Sequence, residues 1–74
     1  MPRITADQII KAIKKLGFEK TRQKGSHRIF KKAEGIRIVI PFHSGKIIHP
    51  KILKTILADC KITIKELKKL IKLF

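Results

Sequence analysis

Gly35-Ile36-Arg37-Ile38-Val39-Ile40-Pro41 is the stretch on which the fold turns. Ile36, Ile38 and Ile40 alternate with Arg37 and Val39, and a period of two sends successive side chains to opposite faces of a strand. One face belongs to a core, and the other carries Arg37 outward. Ala33-Glu34-Gly35 turns the chain into this strand, and Pro41, having no amide proton for a ladder, is predicted to close it. Working back, His27 to Lys32 reads as a strand around Ile29 and Phe30. Gly25-Ser26 is its turn, and Phe18 to Gln23 is a shorter strand made polar by Glu19, Lys20 and Arg22. Three strands linked by hairpins form an antiparallel sheet.

Helices flank this sheet on both sides of the sequence. Thr5-Ala6-Asp7-Gln8 is a capping box, with Ile4 placed to staple onto Ile9. Ile9, Ile10, Ile13 and Leu16 then make one apolar stripe, and Gly17 suits the left-handed position that ends a helix. Beyond Pro41, Phe42 to His49 has the composition of a loop anchored by Ile47 and Ile48. Pro50 fits the first position of a second helix, with Ile52, Leu53, Ile56, Leu57 and Cys60 on one side and Lys51, Lys54 and Thr55 outward. A second capping box, Thr63-Ile64-Lys65-Glu66, stapled by Ile62 and Leu67, opens a last helix carrying Ile64, Leu67, Leu70, Ile71 and Phe74. The expected class is α+β, in the order α-β-β-β-α with an additional C-terminal helix. Each helix has one apolar stripe, so all three should cover one face of the sheet.

With 74 residues the chain has material for one core, so residues 1–74 are expected to form one domain. Nineteen Lys and Arg against five Asp and Glu leave a formal charge of +14, more than solubility requires. That excess points to a polyanion or an acidic protein as partner. No apolar run approaches the roughly 20 residues of a membrane span, and no secretory signal opens the chain, which predicts a cytoplasmic protein with no membrane partner. Cys60 is the single cysteine. It excludes an internal disulfide, leaves no Cys/His pair with zinc spacing, and reads as a small buried apolar residue. Five scattered carboxylates make no two-metal nuclease site, so neither metal nor cofactor is expected.

A helix, three strands and a helix in this order is the topology of the double-stranded RNA-binding domain. Within it, Gly17-Phe18, Arg22-Gln23-Lys24-Gly25-Ser26-His27, Phe30, Gly35, Ile40-Pro41-Phe42-His43 and Leu53 to Leu57 resemble the HicA toxin family, over about Ile4 to Ile62. The resemblance implies the toxin of a type II toxin-antitoxin pair: an endoribonuclease acting on mRNA, with His27 as its catalytic histidine, held inactive by a HicB-like antitoxin protein. The chain departs from the family pattern at Ile47-Ile48-His49-Pro50, where an acidic, Gly-containing segment is more usual, and in its well-developed last helix.

The residues can support such chemistry. RNA is cut without a metal when a base takes the proton of a 2′-hydroxyl, which attacks the adjacent phosphorus while an acid protonates the leaving 5′-oxygen. Imidazole serves either role near neutral pH. From position alone His27 reads as a hydrogen-bonded turn residue on a binding surface, and the resemblance makes it catalytic. His43 is the candidate second acid or base, with loop fixing as its alternative. For His49 a structural role is expected, and for Ser26 a turn role or a hydrogen bond to phosphate. Expected RNA contacts are Arg22, Lys24, Gly25, Ser26, Arg28, Lys31 and Arg37 at the sheet, with Lys51 and Lys54 on the second helix. With no Ser, Thr, Asn or Asp before Pro50, either imidazole, water or an RNA phosphate must satisfy the amides that open that helix. Two other readings account for the charge: a non-catalytic RNA-binding module, and DNA binding through the Lys51 to Cys60 helix. The second is disfavoured because three strands separate the first two helices, where a helix-turn-helix needs a short connection.

Overall fold

The computed structural model describes residues 3–43 and 45–72; Phe74, expected on the last helix, and Ser44 of the loop before Pro50 lie outside them. The first helix, α1, runs Ala6–Lys15. Its capping box closes as the sequence requires. The Thr5 hydroxyl accepts from the Gln8 amide (3.2 Å), and the Gln8 side chain accepts from the Thr5 amide (2.9 Å). Ile4, Ala6, Ile9, Ile10, Ala12 and Ile13 are all buried. Gly17, at φ +99°, lets the chain leave the helix in a conformation that costs a residue with a Cβ atom about 1–2 kcal/mol.

The strands are β1 (Glu19–Lys24), β2 (His27–Lys31) and β3 (Arg37–Pro41), antiparallel in the order β1-β2-β3. Five strand ends differ by one residue from the sequence reading, both ends of β1 and β3 and the end of β2, and two of these matter. Phe18 lies before β1, where it is buried, and the Lys32 ammonium sits 5.6 Å from its ring centroid. Pro41 lies inside β3, opposite His27; β3 is an edge strand, so a residue without an N–H is tolerated there. The β1–β2 register slips by one residue at Thr21, whose hydroxyl donates to the Ile29 carbonyl (3.2 Å). This bulge keeps Arg22 and Lys24 on one face and Gln23 on the other.

The second helix, α2 (Pro50–Cys60), buries Leu53, Ile56 and Leu57 and half-buries Cys60, but Ile52 is 38% exposed. Its cap is the His49 imidazole, whose Nδ1 accepts from the Lys51 amide at 3.1 Å. Lys61 ends the helix at φ +58°, and the Ile62 amide reaches back to the Leu57 carbonyl (3.1 Å). Helix α3 (Ile64–Lys72) opens with the second box. The Thr63 hydroxyl accepts from the Glu66 amide, and the Glu66 carboxylate accepts from the Thr63 amide, each at 3.1 Å.

Phe30, Ile38 and Ile40 carry the sheet's contribution to the core, joined there by Ile9 and Ile13 of α1, Leu53 and Ile56 of α2 and Leu67 of α3. All three helices therefore cover the same face. The loop at 42–49 is tied to the entry of α1: Ile47 bridges Thr5, the Ile48 amide donates to the Ile4 carbonyl (2.8 Å), and the Gly45 amide donates to the Asp7 carboxylate (3.3 Å). Ile48 is buried by this and Ile47 stays 50% exposed. Cys60 packs at the margin of the core. Burial first, and Asp59 second, push its thiol up to about 11 against the opposing pull of Lys32, so it remains protonated and inert at neutral pH.

Candidate functional site

Residues paired directly across an antiparallel sheet share a face, so the register sorts every side chain of the three strands except that of the bulged Thr21. Gln23–Arg28–Ile40 and Lys20–Phe30–Ile38 form the rows on the helix-covered face. The other face has three rows: Lys24–His27–Pro41, Arg22–Ile29–Val39 and Glu19–Lys31–Arg37. Among the described residues no helix covers this second face. Its middle row offers the half-buried Ile29 and the 37%-exposed Val39, with cations on either side and Glu19 as the single carboxylate. Arg22, Lys31 and Arg37 line a shallow depression over Ile29 with Thr21. Among the described residues, none of Arg22, Lys24, Lys31 and Arg37 is in an ion pair.

His27 is exposed at the first position of β2, immediately after the Gly25-Ser26 turn. The turn positions it. Gly25 holds φ +59° while Ser26 does not take a positive φ, which is the arrangement of a II′ hairpin with glycine first, and its twist matches the strands it joins. The Gln23 side-chain amide donates to the Gly25 carbonyl (3.3 Å), and the Phe42 amide donates to the Ser26 carbonyl (2.6 Å). Two strands thus fix the approach to His27, and Lys24 stands opposite it.

Of the expected contacts, the open face brings together His27, Arg22, Lys24, Lys31 and Arg37, with Gly25 and Ser26 at its edge. Arg28 is not among them. It shares the Phe30 face, its guanidinium carbon lies 3.6 Å from the Phe42 ring centroid, and its buried Nε has no hydrogen-bond partner. Lys51 and Lys54 are exposed on α2, which packs on β3 from the helix side. They belong to a different surface.

A feature the sequence reading missed adjoins His27. Pro41, His43, Lys46, Ile47, His49 and Ile52 line a cleft between the 42–49 loop and the start of α2. The signal for it lay in Ile47-Ile48, because adjacent residues in an extended segment point apart and only one of them could anchor the loop. His43 faces this cleft, and Pro41 stands between the cleft and His27. Among the described residues, no three His, Cys, Asp or Glu side chains gather as a metal ion would need, and no helix is long and apolar enough to cross a membrane.

A family model for the HicA toxin of bacterial toxin-antitoxin systems matches residues 6–62, from the start of α1 to the residue after the α2 cap. The chain belongs to the HicA toxin family. Compared with curated proteins, it has no match. As a HicA toxin it belongs to a toxin-antitoxin system, which implies an antitoxin partner. The matched segment contains the whole sheet, the Gly25-Ser26 turn and His27, whereas α3 lies beyond it.

Proposed function

We propose that this toxin is an endoribonuclease that cleaves mRNA in the cytoplasm, with His27 as general acid or base and no metal ion. The observation that carries the reading is the placement of His27. It is exposed, it begins β2 after a fixed II′ turn, and it lies on the sheet face that no helix of the described residues covers, in the row of Lys24 and beside Arg22. A phosphodiester drawn over this face by Arg22, Lys24, Lys31 and Arg37 would come within reach of the imidazole.

As base, His27 takes the proton of the 2′-hydroxyl. The O2′ then bonds to phosphorus, the P–O5′ bond breaks, and the leaving oxygen takes a proton from an acid, giving a 2′,3′-cyclic phosphate and a 5′-hydroxyl. His43, beyond Pro41, is the nearest further imidazole along the chain and the proposed second group. An imidazole at the site, with Glu19 as the single carboxylate of that face and no cluster of carboxylates among the described residues, supports a metal-independent route. A HicB-like antitoxin of acidic character would inhibit by covering the same face, since its carboxylates would occupy the cations that hold phosphate.

The test is incubation of wild type and His27→Ala with a defined RNA in EDTA, with mapping of the cut ends. Loss of one acid or base should slow cleavage roughly 10²- to 10⁴-fold, with cyclic phosphate at the wild-type ends and RNA affinity little changed. Equal cleavage by the two proteins ends the proposal. Binding without cleavage by the wild type would favour a non-catalytic RNA-binding module instead.

A further inference from the structure

We propose that the cleft beside His27 is a nucleobase pocket, receiving one base of the RNA whose backbone crosses the open face. The inference rests on the reading of that face as an RNA site and adds to it a place where sequence preference is set. The open face has a deficit that the cleft makes good. Among the described residues its rows hold aliphatic and cationic side chains, the Glu19 carboxylate, and no aromatic ring other than the His27 imidazole. Phosphate can be held there, yet a base finds nothing to stack on.

All the remaining imidazole of the chain lies just past Pro41. Three histidines are present: His27 opposite Pro41, and His43 and His49 lining the cleft of which Pro41 is a wall. The wall is tied to the turn before His27 by the Phe42 amide on the Ser26 carbonyl (2.6 Å). A strand of RNA with its phosphate at His27 therefore has the cleft as its neighbour.

The cleft has the size and chemistry of a single base. Its volume of about 240 Å³ falls below the roughly 300–1,000 Å³ of pockets for drug-sized ligands. Ile47 and Ile52, both exposed, supply apolar surface for the flat of a ring, and the two imidazoles supply stacking. Because His49 Nδ1 accepts the Lys51 amide, a neutral His49 carries its proton on Nε2. That nitrogen is then a donor to an oxygen or ring nitrogen on the base edge. Lys46 adds a cation among the lining groups, and among the described residues no carboxylate lines the cleft.

The experiment measures RNA binding by fluorescence anisotropy in a His27→Ala background, which keeps the RNA intact. A short single-stranded RNA is compared with copies in which one nucleotide at a time is replaced by an abasic ribose. One position should weaken binding about 5- to 150-fold, the worth of one stacked base. The loss should shrink to near nothing once Ile52→Ala or His49→Asn is added; asparagine keeps an acceptor for the Lys51 amide, so α2 stays capped. Absence of any sensitive position, or an equal loss in the cleft variants, overturns the pocket. So does a result in which the cleft variants bind every RNA like their parent and lose only a co-encoded acidic protein, which would make the cleft a protein site. Because binding alone is read, a toxin that binds RNA but does not cut it sinks the ribonuclease proposal without touching this one.

Discussion

The two faces of the sheet are built from the same strands, and alternate residues of β2 supply both, yet their cations have opposite fates. On the helix side Arg28 sits over the Phe42 ring in the row of Gln23 and Ile40, its Nε out of water and without a partner. On the open side Arg22, Lys24, Lys31 and Arg37 stand in solvent around Ile29 and Val39 with no ion pair among the described residues. The first arrangement uses charge for packing. The second leaves charge available to a polyanion, at a cost in self-repulsion that a partner's negative charge would relieve. Position along the sequence does not separate these roles, since Arg28 follows His27 directly; parity does.

The contrast breaks most sharply at Phe30. It is fully buried in the row of Ile38, on the helix face, and Phe30→Ala should cost about 3–5 kcal/mol. A 74-residue chain has only roughly 4–11 kcal/mol in all, so chemical denaturation should find that the variant has lost a large share of its stability. Ile29→Ala, one residue away on the open face, should unfold close to wild type. If the two substitutions cost the same, the open face is not open.

Next in size is the turn that hands the chain from β1 to His27. Gly25→Ala meets nothing within 4 Å of the added Cβ, so its cost is conformational alone, from φ +59°. That should amount to about 1–2 kcal/mol in denaturant midpoints. RNA cleavage should fall further than stability does, because the turn sets where His27 stands. A variant with reduced stability and unimpaired cleavage would show that the imidazole does not depend on the II′ turn.

Much of this was legible in the sequence, and for a physical reason. Both capping boxes, the Gly17 exit and the Ile38/Ile40 alternation are local, with each residue's partner three or four positions away or its face set by a period of two. The Arg28 assignment was legible too. With Phe30 pointing inward, Arg28 must point inward and His27 outward, whereas treating Ile29 and Phe30 together as the strand's core hides that parity. What could not be read is non-local. The exposure of Ile52 and the cleft beneath it depend on Ile47 bridging Thr5 and Ile48 bonding to Ile4, pairings across more than forty residues of sequence. The strand status of Pro41 depends likewise on His27 opposite it. For the site this means that the cations and His27 were readable as types, while their division between faces required the register.

The smallest effects give the finest discrimination between the faces, through Arg28 and Arg37. Arg28→Ala removes a guanidinium stacked on Phe42 and the stem packed with it, which should cost about 1 kcal/mol, part of which returns because the unpartnered Nε no longer needs to be buried. RNA affinity should fall with salt as steeply as in the wild type. Arg37→Ala should do the reverse: stability should hold, and the slope of log affinity against log salt should flatten by about 0.7–0.9, the share of a single neutralised phosphate. Titrations at several salt concentrations, paired with thermal melts, read both quantities on each variant. Equal flattening by the two would mean that RNA wraps around the β3 edge of the sheet. Arg28 would then hold phosphate as well as Phe42, and the division of labour between the two faces would give way to a single continuous basic belt.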